Sequence, residues 1–375
     1  LEVARTLQKL IADGKLARPA RTLRFFWPPE IEGTLALLNG KPELPRRIKA
    51  AIHMDMVGGG PATKAVFHVT RGPMSLPSFV HDVAWAFAEF ANEESYKFAA
   101  TGSAEFPLVA PEGGQEPLRA EYSPYTMGSD HDVYQDSSFS IPAIYLNDWP
   151  DRYIHTNFDS PANIDPTKLK RAAFIGAASG YFLAQVNGAD YPRLLQTVKT
   201  NQFFRTGEAT RRTAQLSEEE ARNLLSQFSE SEEKLAGSIN SMVPISLRGG
   251  ETRPPLPRAD LRLQELLRRK PLEGAPAEGF RRKGEPKGPL AVFGYDYFAE
   301  HAKAASIATP KLLSYEGLWG GGEEYAYEVL NFADGNRNAQ QIRNAVSAEY
   351  GPVPLEMVVE YLQALEKIGV VERVK

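Results

Sequence analysis

Four places in the chain carry the side chains that amide hydrolysis needs: Glu30 in WPPEIEG, Asp55 in HMDMVGGG, Asp130 with His131 in GSDHD, and His155 with Asp159 in IHTNFDSP. Cleaving an amide near neutral pH calls for a polarised carbonyl and an activated water, and a pair of divalent ions held by histidines and carboxylates supplies both. Taken singly, each residue has a plainer reading. A carboxylate after a strand is more often a helix cap than a ligand, and His155 can equally serve as a cap and Asp55 as a partner of backbone amides. The argument for chemistry is order and spacing, since each residue falls at a predicted strand end or in the loop after one, so one sheet edge can gather them all. With no cysteine in the chain there is no disulfide framework and no thiolate site, and any metal must rest on histidine and carboxylate.

The elements that must position these residues centre on Gly128 to Pro161, where two polar clusters flank the apolar strand Ile141 to Leu146. Upstream, the spacing of Val3, Leu7, Leu10 and Ile11 predicts a helix over Leu1 to Asp13 capped by Gly14. Thr22 to Trp27 reads as a strand stopped by Pro28-Pro29, and Leu35 to Leu38 as the start of a helix. Arg47 to Met56 is a second strand, in which His53 and Asp55 share a face because strand side chains alternate. Ala65 to Thr70 is a third. Pro77 to Phe90 is helical, with His81 read as an exposed polar residue near its first turn, and Phe106 to Pro124 as a loop over the site. Asp165-Pro166-Thr167 opens a helix that runs through Leu183.

After Asp190 the composition changes. Ser217 to Leu235 is acidic and reads as a solvated helical arm, and Gly249 to Gly288 as a linker holding one short helix, Leu261 to Arg268. Three amphipathic helices, Tyr325 to Phe332, Ala339 to Tyr350 and Leu355 to Gly369, precede a strand at Val370 to Val374, an order that suggests a small winged-helix-like unit. The expected division is an α/β domain over 1–190, an arm and linker over 191–290, and the small unit over 291–375. From Glu323 to Lys375 nine acids face five lysines and arginines, which opposes phosphate binding, and the whole-chain net charge of −4 agrees: nucleic acid is not an expected partner. No apolar run approaches a membrane span. The chain opens at Leu1 without a methionine or a signal-peptide pattern, so it is expected to be a fragment of a soluble protein, with the cytoplasm favoured.

The segments FFWPPEIEGT, AAIHMDMVGGG, GSDHDVYQ and IHTNFDSPANID resemble the later motifs of the zinc aminopeptidase family that also contains the glutaminyl cyclases, over about Leu1 to Leu183. The resemblance implies an α/β fold with a mixed central sheet flanked by helices, and two zinc ions in the complete protein. It makes Glu30 the carboxylate ligand of one zinc, Asp55 the ligand of the other and His155 the histidine ligand of the first. Asp130 and His131 match the triplet beside the substrate pocket, with Tyr125 and His53 as further pocket residues and Asp159 orienting His155. The family's first motifs lie upstream of anything present here, so this chain alone is expected to bind metal poorly. Pro29 stands where the family has the first of two adjacent glutamates, the general base, which leaves Glu32 or Glu30 for that role. The implied function is a metal-dependent aminopeptidase or related amide hydrolase acting on a peptide or aminoacyl substrate, with glutaminyl cyclisation behind it. The alternative is a non-catalytic relative serving as a protein-binding platform, able to form homo-oligomers through the arm or the C-terminal unit.

Overall fold

The computed structural model describes residues 1–244, 246, 278–292 and 295–374. The helix expected at Leu261 to Arg268, and most of the linker around it, lie outside the described residues.

Four strands form the central sheet: β1 (Ala51–Asp55), β2 (Val66–Thr70), β3 (Glu121–Ser123) and β4 (Ala143–Trp149), in the order β1-β4-β2-β3. β1 runs parallel to β4, with His53 opposite Tyr145 and Asp55 opposite Asn147. β2 runs antiparallel to β4 and parallel to β3, so the sheet is mixed, as expected. β4 is buried from Ala143 to Asp148, which accounts for its unbroken apolar run: a central strand covered on both faces has no solvent side to keep polar.

The two faces have separate cores. On one, Phe67, Val69, Ile144 and Leu146 meet α3 (Val80–Thr101) and α5 (Pro166–Gln185), with α1 (Glu2–Ala12) outside α5. On the other, Ile31, Leu38, Val133 and Ile141 join α2 (Glu32–Gly40) to the short α4 (His131–Gln135). α5 starts where Pro166 predicts, with the Asp165 side chain accepting from Thr167 N at 2.7 Å.

Several expectations need correcting. Thr22 to Trp27 forms no strand: nothing pairs with it, and β-rich composition without a ladder partner does not make one. Arg21 ties its start to the carbonyls of Leu183, Val186 and Met242, while Phe25, Phe26 and Trp27 stay exposed. His81 is buried, its ring nitrogens facing the carbonyls of Ser78 and Ala143, because the first turn of α3 lies beneath β4. The Phe106 to Pro124 segment bonds chiefly to α3 and the start of α5, through Asn92, Asp165, Thr167 and Arg171. The acidic helix is no solvated arm. α7 (Glu218–Ser238) packs against α6 (Tyr191–Thr213) through buried Leu224, Leu225 and Leu235, and Glu232 grips Arg205 of α6.

The C-terminal part contains β5 (Gly279–Arg282), the hairpin β6 (Ala291–Val292) and β7 (Tyr295–Asp296), and α8 (Tyr297–Ala304). It continues through α9 (Gly322–Asn331), β8 (Asp334–Asn338), α10 (Ala339–Tyr350), α11 (Leu355–Lys367) and β9 (Val371–Val374). An antiparallel sheet, β8-β5-β9, closes over the helices. Its core of Phe280, Leu330, Val346, Leu362 and Leu365 also takes in Tyr125 from the first part of the chain, so the two share an interior. Among the described residues no helix is long and apolar enough to cross a membrane.

Candidate active site

The period-two alternation of β1 puts His53 and Asp55 on one face, and Ser129, just ahead of α4, meets them there. Ser129 is fully buried. Its Oγ lies 2.6 Å from Asp55 Oδ2, 3.0 Å from Glu30 Oε1 and 2.8 Å from His53 Nε2. A serine hydroxyl has one proton, so it can donate to one carboxylate while accepting from His53, and the other carboxylate is left a donor short. The two carboxyls respond in opposite directions. The His53 ring, its Nε2 3.7 Å from Asp55 Oδ2, holds Asp55 down at about 2, against the effect of partial burial. Glu30 is pushed up by partial burial and, against its bond to Ser129, by the charges of Asp55 and Asp130.

Behind this group a buried layer fixes its position. Asp130 accepts from the Thr34 hydroxyl in the first turn of α2. The His131 ring stacks on Tyr145 at 4.0 Å between centroids, and Tyr145 stacks on His53 at 5.2 Å. His131 Nε2 faces the Thr126 carbonyl at 2.7 Å, which assigns the ring proton to Nε2 and leaves the buried Nδ1 without a partner. Burial pulls this imidazole down to about 3, so it is neutral. Asp132 accepts from Tyr125 Oη at 2.6 Å and from Gly128 N at 2.8 Å, and burial pushes its carboxyl up to about 7. Tyr125 and His131, expected to line a substrate pocket, are both buried, and Tyr125 also lines the larger of two cavities.

Glu30, His53, Asp55, Asp130 and His131 are therefore brought into one neighbourhood at the end of β1. Glu32 lies exposed in the first turn of α2. His155 and Asp159 are exposed on a run of turns after β4, with His155 at a φ of 57°, and the run is tied both within itself, from Asp159 N to Thr156 O, and to the loop after β1, from Arg152 N to Thr63 O at 3.1 Å. Asp159 borders a small cavity with Met56, Gly59 and Ile164. A larger cavity is lined by Arg71, Met74, Tyr125, Phe228, Trp319 and Tyr350.

Two carboxylates and an imidazole are donors that suit a borderline divalent ion such as zinc. Yet among the described residues no group of three or more His, Cys, Asp or Glu side chains is placed to hold one. As placed, the residues do not make a complete metal centre, and no ion-dependent step follows from their geometry. Sequence reading gave no role to Ser129, Thr34, Tyr145 or Asp132. Ser129 and Asp132 flank the Asp130-His131 pair, and Tyr145 is the polar-tipped ring opposite His53 in a central strand, a signal open to a register argument.

Residues 1–179 match the family model of Peptidase family M28. Comparison with curated proteins and with solved structures gives no match.

Proposed function

Because residues 1–179 match the model of Peptidase family M28, a family of metal-dependent peptidases, we propose that the chain serves a metal-dependent aminopeptidase or related amide hydrolase acting on peptide or aminoacyl substrates. The metal would be zinc, which the family generally uses. One observation supports the reading most: Glu30 and the β1 pair His53 and Asp55 converge on the single hydroxyl of Ser129, which lies 74 to 99 residues away in sequence. Glu30 and Asp55 are the carboxylates that the ion-holding set would draw on, and His155 is the residue that would have to join them. The buried layer of Asp130, His131 and Tyr145 keeps the polar group oriented without contributing mobile charge.

The test is elemental analysis of the full-length protein together with hydrolysis of an aminoacyl anilide, in wild type and in Glu30→Ala, Asp55→Ala and His155→Ala. Loss of metal and of hydrolysis with an unchanged unfolding midpoint supports the reading, since Glu30 and His155 are exposed and Asp55 is half-buried. Unchanged metal content in all three variants refutes these ligands. A second reading, a non-catalytic binding platform, is favoured by Pro29, which stands where the resemblance implies a general base. Absence of both bound metal and hydrolysis in the full-length protein would select it.

A further inference from the structure

We infer that the C-terminal unit is a working part of the proposed hydrolase site, with Tyr327 of α9 as the positioning residue for the Ser129 to Asp132 segment. This rests on the hydrolase reading and goes beyond it, because Tyr327 lies outside the residues that match the peptidase family. α4 has five residues, too few to hold a helix without tertiary support. Much of that support comes from the far end of the chain. Tyr327 Oη donates to the Asp132 carbonyl at 2.8 Å. The Tyr327 ring stacks on Tyr125 at 5.7 Å, and Tyr125 in turn donates to the Asp132 carboxyl and meets the edge of the His131 ring at 5.6 Å.

The same unit fastens the residues after α4. Asn331 Oδ1 accepts from Ser137 N at 2.8 Å, and Arg282 Nη1 lies 2.8 Å from both oxygens of Asp136. Within the segment, Asp132 N donates to the Ser129 carbonyl at 3.0 Å, so a displacement at Asp132 is carried to Ser129 and from there to Glu30, His53 and Asp55. Simple packing would ask only for a ring of this size at Tyr327. Positioning asks for its hydroxyl, directed at the carbonyl of the residue that follows His131.

Tyr327→Phe in the full-length protein separates the two. Imidazole resonances give a readout that does not depend on activity: the chain has six histidines, and His131 is assigned by the signal lost in His131→Gln. The expected result is movement of the His131 and His53 signals with the exposed His301 unmoved, and a fall of about 10-fold in kcat/KM on an aminoacyl anilide, as a sub-ångström misplacement produces. Unmoved His131 and His53 signals overturn the inference whatever the activity. If the wild type hydrolyses no anilide, the hydrolase reading fails while the resonances still decide the positioning role. Should Tyr327→Phe not fold, Asn331→Ala, which releases Ser137 N, is judged by the same signals.

Discussion

Arg205 offers the sharpest test of how the helices beneath the site are held. Its guanidinium, 4 % exposed, reaches Asp82 of α3 at 2.5 Å and both oxygens of Glu232 of α7 at 2.6 and 2.8 Å. Asp82 is wholly buried, and burial pushes its carboxyl up even with the guanidinium beside it. Arg205→Met keeps much of the side-chain length and removes the charge, leaving two enclosed carboxylates whose remaining help includes the Tyr122 hydroxyl, 2.9 Å from Asp82. Breaking such a buried pair from one side costs about 3–5 kcal/mol. The loss should depend on pH with a definite sign. Asp82, raised by burial even beside the guanidinium, loses that cation in the variant, so folding takes up a proton there and the penalty shrinks as pH falls, by up to about 1.4 kcal/mol per pH unit. Urea unfolding followed by circular dichroism at pH 7.5 and 5.5 measures this. Arg205→Met combined with Asp82→Asn and Glu232→Gln should recover most of the stability. An equal loss at both pH values, or a combined variant no better than the single one, would mean that packing and not charge is responsible.

Three more outcomes are expected. Glu349 and Glu328 lie side by side, buried, gripping the amides of Met74 and Ser75, and burial together with the Glu328 charge raises Glu349 well above the carboxylate range despite the nearby Arg212. Its contribution is full below the unfolded value and is lost as pH rises through the folded one, so Glu349→Gln should lose less stability than wild type between pH 5 and pH 8, and parallel urea midpoints would refute this. Gly58, three residues past Asp55, has a φ of +94°, and a Cβ there would lie 2.9 Å from that of Leu169. Gly58→Ala should therefore cost about 1–3 kcal/mol and lower hydrolysis, as checked by denaturation and anilide assay. Under the hydrolase reading with Glu32 as base, Glu32→Gln should lower kcat by about 10²- to 10⁴-fold with the unfolding midpoint unchanged, and an undiminished rate removes Glu32 from the reaction.

Much of the sheet was legible because its signals are local. The alternation of His53 and Asp55, the apolar run through Leu146 and the Asp165-Pro166 start each depend on neighbours a few residues away. Where the sequence misled, long-range partners decided. The acids of α7 suggested a solvated face, yet Glu232 turns inward because Arg205 waits on the next helix. His81 has an ordinary place near a helix start, and its burial follows from β4 passing above it. Thr22 to Trp27 has strand composition and no strand to pair with. The carboxylate half of the expected ligand set converges, while His155 lies exposed on the turns after β4. Nothing near Tyr327 in sequence points to Asp132, 195 residues away.

That separation has a consequence for how the protein is made. The ribosome releases Ser129, Asp130 and His131 long before α9 and α10 exist, so the nascent sheet can form while the segment bearing these residues still lacks its outer anchors. Contacts at sequence separations of 195 and 275 residues close only after the distant partner has been synthesised. The segment that carries Ser129 to the polar group at the end of β1 therefore gains its outer anchors only after α9 has been made.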